Sequence, residues 1–377
     1  MIPLSENLKV LAGNLDDEPE YQAPLSNDLI DTVTAFSEFV FKTKPSAEII
    51  ALAFWFRRSN IHKVASLYEG AAIQGNFKTF HIAPANVDTV YLYTMLLSFL
   101  VGNTSIVRLS RRRGRIADEL IRLLQKFMQE DKGQLLAQRC LLVEYDAEDV
   151  HITKAISKWC DKRVIWGGDD AIHKIRCTKK VDDELTFPDR FSVAVICLDS
   201  EEQVRAAAEG FVADYLAFNQ QACSSPKAVY WYKTSAKLQQ SFWHCVSELT
   251  AGKSQFDKSH QLNRHINLQL LLLDEPILNP VNIESDTNYL IVELQKLADL
   301  NCLQSHQGNG LIFSTNLITL SELPEHEKLQ TVSFFGIGQA DIVTINALRV
   351  VPLGDVLVFH HVWDGKDLIT QLGCQSA

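Results

Sequence analysis

One cysteine, Cys223, stands in the segment Asn219-Gln220-Gln221-Ala222-Cys223-Ser224-Ser225-Pro226, among small and polar residues directly after a stretch with helical spacing. Over residues 201–218, Val204, Ala207, Ala208, Phe211, Val212 and Tyr215 recur on one face, so the thiol follows a helix end rather than sitting on a core face. A thiol is only slightly ionised near neutrality but is intrinsically very nucleophilic, so modest help from neighbouring amides would let it attack an acyl group. Taken alone, the same residue also reads as a small buried hydrophobe.

Three further stretches carry groups that suit such chemistry. In His81-Ile82-Ala83-Pro84-Ala85-Asn86, a side-chain amide at a helix start could donate to an oxyanion, although asparagine is also an ordinary N-cap. Between Gly102 and Arg113, Arg108, Arg111, Arg112 and Arg113 crowd the end of an apolar run. Forked guanidinium groups there suit the phosphate or ribose of a dinucleotide, and a solvated helix start is the competing reading. In Trp166-Gly167-Gly168-Asp169, two glycines let a ligand approach the main chain, and the amides opening the next helix suit an anion; a plain tight turn is the alternative. The spacing is not GxGxxG, and no HExxH, GxxxxGKS or Ser-His-Asp pattern occurs. His260 and His265 have no evident partner and read as structural.

The elements that must hold these residues follow from periodicity. A helical lead-in covers roughly residues 1–70. From there short β-like runs alternate with helical segments: 79–82 before 86–101, 105–109 before 115–129, 139–144 before 147–158, and 163–166 before 169–177. Such alternation builds a parallel sheet covered by helices, with ligand loops at the strand ends. The apolar run 191–197 is expected to close this half. A second half then carries Cys223 and strands around 228–232, 289–294, 311–314 and 332–335, and the tail places a strand at 355–359. The expected division is 71–200 for a dinucleotide-binding domain, 201–345 for a catalytic domain with the cysteine, and 346–377 for a C-terminal strand and tail.

At 377 residues, with 46% hydrophobic and 22% charged residues, the chain can bury a core of more than one domain. A formal charge of −10 argues against general attraction to nucleic acid or anionic membrane. The eight cysteines are scattered without CxxC or Cys/His spacing, which favours neither a metal site nor a disulfide framework. With no membrane-length apolar run and no basic start followed by an apolar block, a reducing, cytoplasmic setting is expected.

In order, HIAPANVDTV (81–90), VGNTSIVRLS (101–110), VIWGGDDAIHKIR (164–176), NQQACSSPKAVYW (219–231), KLQTVSFFGIG (328–338), RVVPLGDVL (349–357) and VWDGKDLI (362–369) resemble the aldehyde dehydrogenase superfamily. The likeness is greater to its acyl-CoA reductase branch, typified by the fatty-acid reductase subunit of bacterial luminescence. That resemblance implies an aldehyde-dehydrogenase-like α/β fold, with a Rossmann-type parallel-sheet cofactor domain and a second α/β catalytic domain. It also implies Cys223 as the covalent acyl acceptor, Asn86 and the Cys223 amide as oxyanion donors, and Arg108 on the adenosine ribose. Gly167 and Gly168 would lie near the cofactor pyrophosphate or nicotinamide, and charge alone favours NADPH through Arg111 and Arg113 on its 2′-phosphate. Members usually associate as homo-oligomers, and an acyl-protein synthetase is the expected partner.

Aldehyde-oxidising members keep a glutamate before the cysteine that activates water. That glutamate lies about a helix's length upstream; over residues 186–190 no comparable one is found, and Asp189 is the nearest carboxylate there. A site lacking that base protects an acyl-enzyme from water and suits reduction of a long-chain acyl-CoA or acyl thioester to the fatty aldehyde. Aldehyde oxidation through an unrecognised base, and a non-catalytic subunit that keeps the fold, remain as alternatives.

Overall fold

Short apolar strands alternating with amphipathic helices produce two separate sheets in the computed structural model, which describes residues 7–15, 19–84, 87–179, 181–252, 256–275 and 277–375. They belong to two compact units, Met1–Pro188 with Phe359–Ala377, and Asp189–Val358.

The first unit opens with β1 (Lys9–Ala12) and three helices, α1 (Asn27–Lys42), α2 (Ala47–Trp55) and α3 (Arg58–Ser66). After the two-residue β2 (Ile73–Gln74) come β3 (Lys78–Ile82), α4 (Val90–Leu100), β4 (Thr104–Leu109), α5 (Arg115–Phe127), α6 (Gln134–Arg139), β5 (Cys140–Glu144), α7 (Val150–Trp159), β6 (Lys162–Trp166), α8 (Asp169–Thr178) and β7 (Asp183–Phe187). Helix α4 is apolar all round and wholly buried, as a core helix must be, whereas α5 buries one stripe through Ala117, Leu120, Ile121 and Leu124. The sheet order is β1-β5-β4-β3-β6-β7, with β1 antiparallel and every other pair parallel. Strand order reverses between β3 and β6, and the crevice beyond the carboxyl ends at such a point is where open α/β sheets bind ligands. The turns beginning at Ala83 and Gly167 leave the sheet there.

The second unit holds β8 (Phe191–Ile196), α9 (Glu201–Leu216), β9 (Pro226–Tyr232), α10 (Ala236–Thr250), α11 (Lys258–Asp274), β10 (Pro280–Ser285), β11 (Leu290–Leu294), β12 (Leu311–Leu317), β13 (Leu329–Phe335), α12 (Gln339–Ile342) and β14 (Arg349–Pro352). Its order is β10-β11-β12-β9-β8-β13-β14, parallel except for the edge strand β10. The run expected to close the first half is therefore β8, which pairs with β9 and β13 near the middle of the second sheet. Alternate residues of β8 feed two different apolar cores, Val193 and Val195 on one face and Ala194 and Ile196 on the other. Apolar character announces such a central strand but does not name its neighbours.

Residues 355–359 form turns and coil rather than the expected strand. Arg349 donates to the carbonyls of Asp355, Val356 and Val358, and the buried Asp214 carboxylate accepts from Gly354 and Val356 amides. Those groups are thereby withdrawn from any ladder. The tail belongs to the first unit. Val362–Trp363 and Lys366–Asp367 make a small hairpin, Asp367 caps the helix Leu368–Leu372 and accepts from Tyr68, and Cys374–Gln375 pairs with β2. The WDGKDL run thus has a local reason: a turn at Gly365 (φ 72°) followed by an N-cap.

Candidate active site

The loop carrying Cys223 occupies the amino-terminal edge of the second sheet, between α9 and β9. Phe218, Asn219 and Gln220 adopt successive left-handed conformations (φ 51°, 54° and 61°), which cost roughly 1–2 kcal/mol per residue outside glycine. Such a run persists only where its surroundings over-determine it. Gln220 is fully buried, and its amide donates to the Pro226 and Leu311 carbonyls (2.8 Å each) and accepts from the Gly310 amide (2.9 Å), tying the loop to the starts of β9 and β12. The Asn309 amide donates to the Asn219 carbonyl at 2.9 Å. Gly308 (φ 74°) passes so close that a Cβ would stand 2.5 Å from the Gln220 carbonyl oxygen.

On the other side, the Ser192 hydroxyl at the start of β8 donates to the Cys223 carbonyl (2.7 Å) and accepts from the Thr331 amide (3.1 Å). Ser225 donates to the Asp214 carbonyl at 2.8 Å. These bonds fix the main chain before and after the cysteine, and the residue itself is half-buried. The other cysteines differ. Burial pushes the Cys160 thiol up to about 11 and the Cys302 thiol up to about 12, and raises Cys140, Cys197 and Cys245 as well, whereas Cys177 and Cys374 are exposed. A buried thiol of raised pKa is inert, so Cys223 alone combines access with a fixed loop at a sheet edge.

Two groups near this loop were not legible in the sequence. His260 pairs through Nδ1 with Asp257 (2.8 Å) and through Nε2 with the Asn219 amide (3.1 Å), which corrects its reading as partnerless. The Asp257 cap of α11 is a recognisable local signal, but the contact with Asn219 spans 41 positions and leaves none. Lys227 is buried four residues after the cysteine, with Nζ donating to the His306 carbonyl. Burial pulls this ammonium below the usual lysine range, while Cys223 and Asp189 act in the opposite sense.

In the first unit, Arg108 ends β4 with its guanidinium over the Tyr145 ring (5.2 Å) and one bond to the Tyr145 carbonyl (3.4 Å); its buried Nε has no partner among the described residues. Arg111 is exposed and faces Asp146 at 3.3 Å. Arg113 is held by Glu144 and by Asp118 (2.7 Å). Gly167 (φ 157°) and Gly168 lie where β6 meets α8, and a Cβ on Gly167 would find nothing nearer than the Ala171 Cβ at 3.5 Å. Open space against the main chain at the end of β6, with the Arg108 Nε, unpartnered among the described residues, near the end of β4 on the far side of β3, fits a dinucleotide along these strand ends. Asn86 lies outside the described residues.

A family model described as acyl-CoA reductase (LuxC) matches residues 59–256, which is 198 of the 377 residues. The chain belongs to the LuxC family.

Among relatives of this family, a long-chain acyl-protein thioester reductase of Vibrio harveyi is 24% identical over 267 residues, covering 68% of this chain and 53% of the relative. The long-chain acyl-protein thioester reductase 2 of Photobacterium leiognathi is 26% identical over 163 residues, 43% of this chain and 33% of the relative. The matched region thus spans about half or less of these curated relatives. An NAD-dependent aldehyde dehydrogenase from Sinorhizobium meliloti superposes with a TM-score of 0.63 at 11% identity, covering 86% of this chain and 74% of that one. The LuxC family chain therefore has the aldehyde-dehydrogenase-like fold expected from its motifs. Among the described residues no helix is long and apolar enough to cross a membrane.

Proposed function

We propose that this protein reduces a long-chain acyl thioester, presented as acyl-CoA or on an acyl-protein, to the fatty aldehyde through an acyl group carried on Cys223. Family membership and the names of the thioester-reducing relatives support the reaction class. The observation that carries the assignment to Cys223 is the locked left-handed loop, which presents this thiol at the sheet edge while five others are buried.

In this reading the Cys223 sulfur attacks the acyl carbon and the donor thiolate leaves. Asn86 and the Cys223 amide hold the oxyanion, and a bound reduced nicotinamide supplies hydride. Collapse of the tetrahedral adduct expels the Cys223 thiolate and releases aldehyde. Arg108 takes the adenosine ribose, and Gly167 and Gly168 allow the pyrophosphate to approach. NADPH is the proposed cofactor, and an acyl-protein synthetase the proposed donor partner. Intact-mass measurement after incubation with a long-chain acyl-CoA, and separately with an acylated carrier protein, tests this. An acyl mass mapped to Cys223, and aldehyde on adding NADPH, is the expected result; acylation elsewhere or none at all overturns it.

Two narrower outcomes follow. Asn86→Ala removes one oxyanion donor and is expected to slow aldehyde formation about a hundred- to thousandfold with NADPH affinity nearly intact; an unchanged rate would take Asn86 out of the mechanism. Arg111 is less committed than Arg113, so Arg111→Ala is expected to weaken NADPH binding about tenfold while sparing NADH. Titration of both nucleotides checks this, and equal weakening would remove the 2′-phosphate role.

A further inference from the structure

A helix lying on a sheet ordinarily turns its apolar stripe inward and its polar residues to water. Helix α11 does the reverse. Its inward side is formed by Arg264, Asn267, Leu268 and Leu271, all buried. The two polar members are committed to the main chain: Arg264 donates to the Asp286 and Thr287 carbonyls, and Asn267 donates to the Ser305 carbonyl and accepts from the Gln307 amide (2.9 Å each). On the opposite side Leu262, Ile266, Leu270 and Leu273 recur at helical spacing as one stripe and stand 46% to 76% exposed. The apolar surface continues past the helix. Ile277, in the turn after α11, is 78% exposed, and Ile283 on β10 is half exposed. Ile283 pairs with Val292 of β11, and Val292 shares a core with Leu268 and Leu271, so strand and helix present these residues on the same side of the sheet. Together the six residues expose on the order of 700 Å², more than the ~300–600 Å² of a typical monomer's largest apolar patch and close to the roughly 800 Å² that one partner gives to a standard interface. The face is also uncharged. Between Lys258 and Asp274, Arg264 is the one residue of fixed charge, and it is turned inward; on β10, Glu284 pairs with Ile291, which belongs to the other core.

We propose that the face formed by α11 and β10 docks a second copy of this chain about a two-fold axis. Besides its area, two features favour a copy over a different partner. The chain has a formal charge of −10, so two copies repel through much of their surface, and an uncharged apolar face is where they approach at least electrostatic cost. The second feature is the sheet edge. Strand β10 is the antiparallel edge of the seven-stranded sheet, and its outer side pairs with no strand among the described residues. An open edge is a template for another strand, and a two-fold axis across β10 sets it antiparallel to its own copy. The usual protections of a bare edge, a proline or a bulge, are confined to the start of β10, at Pro280 and the irregularity before Asn282, and no lysine stands on the strand. The face is thus complementary to itself: an apolar helix stripe meets the same stripe, and an open edge meets the same edge.

Sedimentation equilibrium of the full chain tests this, with Ile266→Glu and Leu273→Glu combined in one variant. Glutamate is a good helix former and both positions are exposed, so circular dichroism should show the parental fold. The wild type is expected at the mass of a dimer or of a larger even assembly. The variant should fall to half that mass or less, its self-association weakened about a hundredfold or more by like charges set across the axis. Val343→Glu, at an exposed apolar position elsewhere in the same unit, should leave the mass unchanged. Hydrogen exchange on the wild type gives a second readout that needs no variant to fold: peptides over 259–273 and 280–285 should exchange more slowly at high protein concentration than at low. A monomeric wild type overturns the proposal. So does a variant that keeps the parental mass, or an assembly whose concentration-dependent protection falls elsewhere. A monomer that floats with phosphatidylcholine vesicles, and loses them with the two glutamates, would give the face to a lipid surface and overturn the second copy as well.

Discussion

Cys223→Ser will retain the fold and lose aldehyde formation by at least about a thousandfold, because a serine hydroxyl is scarcely ionised at neutral pH and is a far weaker nucleophile than a thiolate. The side chain is nearly the same size, and the bonds that hold its loop run through the Cys223 carbonyl, Gln220 and Ser225, none of which changes. Thermal melting should therefore match the parent while the acyl adduct disappears. Retained turnover would assign the chemistry elsewhere, Cys177 and Cys374 being the accessible alternatives. A lower melting temperature would show that the thiol also packs.

Gln220→Leu is expected to act through the fold instead, lowering stability by about 3 kcal/mol or more and acylation with it. Leucine fills similar space but cannot bond to the Gly310 amide or the Pro226 and Leu311 carbonyls, and each buried polar group left unsatisfied costs about 1–3 kcal/mol. The loss falls where the left-handed backbone has most need of support, so the loop should relax and the thiol drift from the sheet edge. Calorimetry beside the acylation assay checks both parts. An unaltered melt with full acylation would mean that the loop holds its shape without the amide.

Much of the first unit was legible from periodicity. The strands near 79–82, 105–109, 139–144 and 163–166 were expected and appear as β3 to β6, because each is a short, largely apolar run followed by a segment of helical spacing. Strands β7, β10 and β14 were missed, as were β1, which lies inside the expected helical lead-in, and the two-residue β2. DELTF and PVNIES carry charged or polar residues at exposed positions, and four-residue RVVP is too short to show a period. The expected strand over 355–359 failed for a different reason: Arg349 and Asp214 satisfy its backbone from outside, and neither distance nor direction to those side chains is written locally.

The cysteine, the arginine cluster and the paired glycines stood out because residue type and neighbours carry a chemical meaning that needs no coordinates, and the ordered motifs pointed to the family that the comparison then showed. What holds the loop that carries the cysteine did not stand out. Gln220, Gly308, Lys227 and His306 take their roles from contacts across 6 to 91 positions, and left-handed φ at phenylalanine and glutamine runs against local preference. Alternating apolar and polar runs are set by short-range sterics and burial, so they can be read along the chain. The charge and strain at a reactive atom depend on which distant strands become its neighbours, and only folding brings those together.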